Sequence, residues 1–383
     1  MVKLIPSIIL LVSSTCAIAA AAPHTLTLHR QAKGSYKDMA ASEGNRWAKK
    51  ATSGVHTPAI NDFFKYNIEV SIGHPPQASY PIFDTGSPYL WVSDQVYDVP
   101  KSASARSLNS SITLAYGAGN VTIDLYNDTI SLGKDLIIKQ ELGVASNLTA
   151  LQIQTEGVIG FAPEAMALAY TNQFSYIPTP MHNLIASHKI GKYLFAVDFR
   201  PLRNTTVNVA NGQIDIGELD RSKYTGDVIY SPISKKSPFK YFWSTDVPKI
   251  KFGGKTMVSD LSAVLDTGSP LILATWKILQ EIFSDIEGLG TDGRVMTVPK
   301  SQVHKLKDVT FELAGGSITY KTEQYLVPSF LEPDFGPTNG TQYTFFGVFG
   351  EFGLPLILGE PLMEHYYTIF DGVNKRVGFA TRK

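Results

Sequence analysis

The chain has 383 residues, of which 44% are hydrophobic and 18% charged, and its formal net charge is +0. That length accommodates two lobes that each bury a core, and the supply of Gly, Pro and Tyr suits a turn-rich, largely β protein rather than a coiled coil or a disordered chain. Balanced charge gives no reason to expect nucleic acid as a partner.

Residues 1–21 read as a signal peptide: Lys3 provides a short positive region, Leu4 to Val12 is mostly apolar, and Ala17 to Ala22 offers small residues for cleavage. The apolar run is short for a bilayer span, and no later segment reaches that length. The product is therefore expected to be secreted, soluble and extracellular, without membrane association. Cys16, the only cysteine, would leave with the signal. That would remove any disulfide, metal–thiolate site or cysteine nucleophile from the mature chain. Six Asn-x-Ser/Thr glycosylation acceptors, at Asn109, Asn120, Asn127, Asn147, Asn204 and Asn339, fit a secretory route.

Residues 22–55 read as a propeptide. Arg30, Lys33, Lys37, Arg46, Lys49 and Lys50 face only Asp38 and Glu43 there, a net +4; without this segment and Lys3, 27 basic residues stand against 32 acidic ones, a net −5. A basic leader on an acidic body could be held by attraction that fails once carboxylates protonate. A flexible linker has the same composition.

From Phe64 the pattern turns to strands. Tyr66, Ile68, Val70 and Ile72 alternate with Asn67, Glu69 and Ser71, which predicts one half-buried strand ending in a turn at Gly73 to Pro76. Thr179-Pro180 caps and starts a helix with Met181, Leu184 and Ile185 inward, stopped at Gly191. A second helix starts near Thr275 and sets Trp276, Leu279, Ile282, Phe283 and Ile286 at helical spacing until Gly288. Val309, Phe311 and Leu313, joined through Gly315-Gly316 to Ile318 and Tyr320, read as a β-hairpin.

An internal repeat carries the most information. Pro81-Ile-Phe-Asp-Thr-Gly-Ser-Pro-Tyr-Leu-Trp-Val92 has a partner in Ala263-Val-Leu-Asp-Thr-Gly-Ser-Pro-Leu-Ile-Leu-Ala274, and the two Asp stand 182 positions apart. Each copy is followed by an apolar-apolar-Gly element, Val158-Ile-Gly160 and Ile357-Leu-Gly359. Two related lobes are expected, 56–231 and 232–383, joined near Tyr224 to Ile233. A single Asp-Thr-Gly is an ordinary turn signal. Two copies in symmetric halves would face Asp84 and Asp266 toward each other across the lobe interface. Carboxylates in contact cannot both ionise readily, so they share a proton in acid. One acting as base and the other as acid is what attack by water on an amide requires. Gly86 and Gly268 let backbone N–H groups approach the carboxylates, Ser87 and Ser269 are placed to hydrogen-bond them, and Thr85 and Thr267 to tie the loops together.

On these residues the chain resembles the pepsin family of aspartic endopeptidases over nearly all of 60–383; the shared-proton behaviour is already known for that family's dyad. Ile112-Thr-Leu-Ala-Tyr116-Gly-Ala-Gly119 resembles the family's flap, the hairpin that closes over substrate, with Tyr116, Gly117 and Ala118 at its tip and Trp91 as its supporting tryptophan. Gly117 and Gly119 suit a tight, movable tip. The tail Tyr366-Tyr-Thr-Ile-Phe-Asp-Gly-Val-Asn-Lys-Arg-Val-Gly-Phe-Ala380 resembles the closing strands. The cysteine-free mature chain resembles the polyporopepsin-like fungal members. The resemblance implies a mostly β, bilobal fold with a central cleft and a monomeric enzyme without cofactor or metal. It also implies activity on proteins and peptides in acid, production as a zymogen, and inhibition by pepstatin-type compounds. Ile82, Tyr116 and Phe161 are candidate apolar walls, which implies a preference for hydrophobic residues at the cut. Ala118 stands where some fungal relatives carry an acidic residue that accepts lysine, so lysine specificity is not expected.

Some positions depart from the family pattern. Pro88 and Pro270 replace a usual hydroxyl residue, and Pro270 would remove a hydrogen bond to the substrate backbone. Glu156 and Glu360 stand where Asp is common, and Lys33 or Lys37 is expected to pair with the dyad in the precursor. No Gly-x-Ser-x-Gly or His-Glu-x-x-His supports a serine hydrolase or zinc enzyme, and no complete Gly-x-x-x-x-Gly-Lys-Ser/Thr loop supports a nucleotide binder, because Lys249 stands where Gly254-Lys255-Thr256 would need the first Gly. A two-carboxylate glycosidase would not explain identical loops in two halves. The serious rival is a pepsin-fold binding protein that has lost activity.

Overall fold

The structure is a computed structural model and describes residues 24–31, 65–116, 119–151, 155–169, 176–203, 209–349 and 354–383. The signal peptide, Cys16, most of the leader with Lys33 and Lys37, the flap tip Gly117 and Ala118, and Asn204 lie outside the described residues.

Strands dominate. They form a 15-stranded sheet holding most of the first half and the chain's last two strands, and a 9-stranded sheet built from the second half. The expected strand through Tyr66 and Ile72 is broken at Glu69 into Lys65–Ile68 and Val70–Ile72. Its first part buries all four residues, including Lys65 and Asn67, because it is paired on one side by His24–Gln31 and on the other by Ile82–Asp84. A strand flanked in this way loses the alternation of a half-buried one.

The strand His24–Gln31 lies inside the leader, in sequence that also reads as linker. Leu26 and Leu28 alternating with Thr25 and Thr27 supply the period-2 signal for it. It pairs with Val209–Ile216 as well as with Lys65–Ile68. The Thr25 hydroxyl donates to the fully buried Asp215 at 2.6 Å, and the Tyr367 hydroxyl donates to the other oxygen of that carboxylate at 2.6 Å.

Both expected helices form and both stop early. Pro180–Ala186 is capped by Thr179, whose hydroxyl accepts from the His182 N–H at 3.1 Å, and it buries Met181 and Leu184 with Ile185 half-buried. It ends well before Gly191, with His188 in the left-handed region at φ 53°. Trp276–Ile282 is capped by Thr275, and Phe283 and Ile286 pack into the core from beyond its end. The hairpin of Val309–Leu313 and Gly316–Tyr320 pairs Val309 with Tyr320.

The lobes meet over a group of packed aromatics. Phe83, next to Asp84, lies 4.7 Å from Phe161 between ring centroids; Phe161 is 5.3 Å from Phe195, and Phe195 stacks on Phe370 at 4.6 Å. Trp243 closes the group, 5.5 Å from Phe370, and its indole N–H donates to the Phe161 carbonyl at 2.7 Å. Each such pair contributes about 0.5–1.5 kcal/mol beyond its burial, so the strand that presents Asp84 stands on a rigid base.

Asp128 organises the turn side of the first lobe. It is fully buried and accepts from the hydroxyls of Tyr97, Ser102 and Ser104 at 2.5, 2.6 and 2.5 Å and from the Thr129 N–H at 2.6 Å. Burial works to raise its pKa, but the hydrogen bonds outweigh burial and hold it below the ordinary carboxylate value. A depressed folded value means the stabilisation is present above the unfolded value of about 4 and is lost as pH falls through the folded one. Asp128→Asn is accordingly expected to cost about 2 kcal/mol at pH 5. Thermal melts should show the gap to wild type narrowing toward pH 2.

Candidate active site

The two repeats are placed by the same local topology. Ile82–Asp84 runs parallel to Gly157–Gly160 with Asp84 opposite Gly160, and Lys255–Asp266 runs parallel to Leu356–Gly359 with Asp266 opposite Gly359. Each apolar-apolar-Gly element thus lies beside the strand that delivers an Asp. Each then pairs on its other side with the strand that follows the motif, Leu90–Ser93 in the first copy and Ile272–Ala274 in the second. Glycine is required where the chain passes under the motif loop. A Cβ on Gly160 would sit 2.4 Å from the Ser87 carbonyl oxygen, and one on Gly359 would sit 2.1 Å from that of Leu271.

The loops interlock. The Thr85 N–H donates to the Thr267 hydroxyl at 2.9 Å and the Thr267 N–H to the Thr85 hydroxyl at 3.0 Å. Each hydroxyl then donates across the interface, Thr85 to the Leu265 carbonyl at 3.0 Å and Thr267 to the Phe83 carbonyl at 2.9 Å. Both threonines are fully buried, so removing one partner leaves unsatisfied groups that cost about 1–3 kcal/mol each. Asp84 and Asp266 are the residues immediately before these threonines, which brings them to one place at the junction of the halves.

The surroundings of the two carboxylates match. Asp84 accepts from the Gly86 N–H at 2.7 Å and from the Ser87 hydroxyl at 2.6 Å; Asp266 accepts from the Gly268 N–H at 3.0 Å and from the Ser269 hydroxyl at 2.7 Å. In both, the N–H takes one carboxylate oxygen and the hydroxyl the other. Asp84 is 2% exposed and Asp266 0%. Buried carboxylates held by a backbone N–H and a hydroxyl are oriented groups rather than surface charges.

A family model described as eukaryotic aspartyl protease matches residues 65–382. The chain belongs to the eukaryotic aspartyl protease family. It is a pepsin-like hydrolase, an aspartic endopeptidase. The protease is 29% identical over 333 residues to polyporopepsin of Irpex lacteus, covering 85% of this chain and 96% of that one. It is 24% identical over 400 residues to cathepsin D of Dictyostelium discoideum, covering 98% of each. The crystal structure of the aspartic proteinase from Irpex lacteus has the same bilobal fold, with a TM-score of 0.75 at 24% identity and coverage of 94% and 98%.

In the protease the hairpin of Arg106–Tyr116 and Gly119–Leu132 pairs Tyr116 with Gly119. The fully buried Trp91 donates its indole N–H to the Tyr116 hydroxyl at 2.8 Å. Ile82 and Trp91 share the apolar cluster against which Tyr116 packs. Phe161 is placed differently from the expectation: its ring is fully buried among Phe83, Phe195 and the other lobe-junction aromatics, so it supports the Asp84 strand from behind and is not a wall of the cleft. Pro88 and Pro270 are both buried. Glu156 accepts from the Tyr80 N–H at 2.6 Å, which fixes the approach to the Asp84 strand. Trp243 lies outside both repeats and carries no motif signal in the sequence; it faces residue 161, the first after Gly160.

Proposed function

We propose that this protease is made as a secreted precursor and cleaves extended peptides in acid, at hydrophobic residues, with a water held between Asp84 and Asp266. The observation that carries the proposal is the reciprocal Thr85–Thr267 grip, which ties the two motif loops together and supports a reading in which the aspartates just before them act as a pair. In acid one carboxyl is protonated and the other is not. The ionised carboxylate takes a proton from the water as its oxygen attacks the peptide carbonyl, while the protonated partner donates to the carbonyl oxygen. Collapse of the tetrahedral intermediate moves a proton to the nitrogen and breaks the C–N bond. Gly86, Ser87, Gly268 and Ser269 hold the two carboxylates in position, so little reorganisation is needed.

The flap assignment follows from the same reading. Tyr116, Gly117 and Ala118 would close over substrate, with Trp91 fixing the tyrosine and Ile82, buried like Phe161, supporting it from the apolar cluster beneath rather than lining the cleft. Tyr116→Phe would leave the buried Trp91 N–H without its hydroxyl acceptor. An expected loss of about tenfold in kcat/KM corresponds to one such hydrogen bond; steady-state kinetics on a peptide read it directly.

Residues 1–21 would leave on export and 22–55 on activation, giving lobes of 56–231 and 232–383. The pairing of His24–Gln31 within the main sheet supports a leader that folds with the body. Activation is tested by acidifying the purified precursor and sequencing the new N-terminus with and without pepstatin. The expected result is a cut between Lys49 and His56 and proteolysis that pepstatin stops. Activity of an unprocessed chain, or activity indifferent to pepstatin, would contradict the reading.

A further inference from the structure

The flap hairpin and the loop beside it carry acceptor sites for N-linked sugar next to the hairpin's tip. Along Gly119–Leu132 the buried residues Val121, Ile123 and Leu125 point into the lobe, and Asn120, Thr122 and Asp124 alternate with them toward solvent. Asn120 directly follows Gly119 and is the cross-strand partner of Ala115, next to Tyr116. Gly119 also bridges Leu151, and a Cβ on it would lie 1.9 Å from the Ala150 carbonyl oxygen, so the loop carrying Asn147 is pressed against the hairpin beside Asn120. Asn147 is exposed, and its side-chain oxygen accepts from both the Thr149 N–H at 2.8 Å and the Thr149 hydroxyl at 2.7 Å. That arrangement commits the amide oxygen and leaves the nitrogen as the group presented outward.

We propose that Asn120 and Asn147 are N-glycosylated and that the two sugars form a collar over the outer face of the flap. The inference rests on the reading of the chain as a secreted protein. The donor is an oligosaccharide linked through a diphosphate to a membrane polyprenol. The side-chain Nδ2 loses a proton and bonds to the sugar C1, the C1–O bond breaks, and the polyprenyl diphosphate leaves with the electron pair. Asn127 is a poorer acceptor because it is half-buried in a strand paired on both sides, to Arg106 and Glu141. Asn339 is exposed and far along the chain, and serves as an internal control. A sugar at Asn120 stands on the face opposite Val121 and Ile123, and one at exposed Asn147 extends from the adjoining loop into solvent, so a peptide lying under the flap is not obstructed. A folded protein that must straddle the hairpin meets the bulk of the collar.

The full chain is expressed in a eukaryotic secretory host, released with peptide N-glycosidase in heavy-oxygen water, and mapped by mass spectrometry. Label is expected at Asn120 and Asn147. Label at Asn339 but at neither of these sites overturns the proposal while leaving secretion intact. No label anywhere, with the chain retained in the cell, overturns both the proposal and the reading of export. The activated enzyme is then assayed on a short chromogenic peptide and on folded serum albumin, before and after enzymatic removal of sugar from the native protein. The Asn120→Gln/Asn147→Gln and Thr122→Ala/Thr149→Ala variants repeat the comparison by two independent routes. A several-fold rise in kcat/KM on albumin relative to the peptide is expected in each case. An unchanged ratio rules out the collar.

Discussion

Asp84→Asn and Asp266→Asn each lower kcat/KM by at least about 10³-fold, the contribution expected of a group that must move a proton in the transition state. An amide keeps the size of the carboxyl group: its oxygen can still accept from the Gly86 or Gly268 N–H, and its NH2 can donate to the Ser87 or Ser269 hydroxyl oxygen once that hydroxyl rotates, so the fold is expected to survive. What it lacks is the capacity to take a proton from water or to hold one for the carbonyl. The double variant is expected to be little worse than either single one, because the pair acts as a unit. Near-wild-type melting with activity lost in both single variants separates chemistry from stability. Retained turnover in either would remove that aspartate from the mechanism.

Gly160→Ala is expected to be strongly disruptive for a single added methyl group. The new Cβ would lie 2.4 Å from the Ser87 carbonyl oxygen and 2.5 Å from the Pro88 carbonyl carbon, which are backbone atoms that cannot rotate away. Relief requires parting the motif loop from Gly157–Gly160, which breaks the bond from the Gly160 N–H to the Tyr89 carbonyl at 2.9 Å and the bond from the Ala162 N–H to the Ser87 carbonyl at 3.0 Å. A loss of about 3 kcal/mol or more is expected from this overpacking, read as a lowered denaturation midpoint. Because Ser87 also holds Asp84, activity should fall more than the unfolded fraction explains. Gly191, where an added Cβ meets nothing within 4 Å, provides the control: Gly191→Ala should be nearly silent.

The centre of the protein was the part most open to reading from sequence. Five consecutive identities, Asp-Thr-Gly-Ser-Pro, in two halves fix the identity of both loops, and the Gly elements that pair beside them are visible as separate copies. Twofold repetition made their meeting at an interface predictable, and the structure shows the threonine grip that joins them. Elsewhere local pattern was a weaker guide. The break at Glu69 and the burial of Asn67 arise from neighbouring strands contributed by distant parts of the chain, which periodicity in one segment does not register. Phe161 departs from expectation for a related reason: an aromatic residue after the Gly element can face cleft or core, and only the placement of Phe195, Trp243 and Phe370 decides. The leader strand carried a legible alternation at Leu26 and Leu28, masked by the dense basic charge that follows it.

All of the chemistry depends on a single solvent molecule being shared by side chains from the two halves. A high-resolution crystal structure of the activated enzyme at acid pH measures this directly. One ordered water within hydrogen-bond distance of both the Asp84 and Asp266 carboxyl groups is the expected result. Separate waters on each, with the carboxyl groups too far apart for any one molecule to bridge, would contradict it.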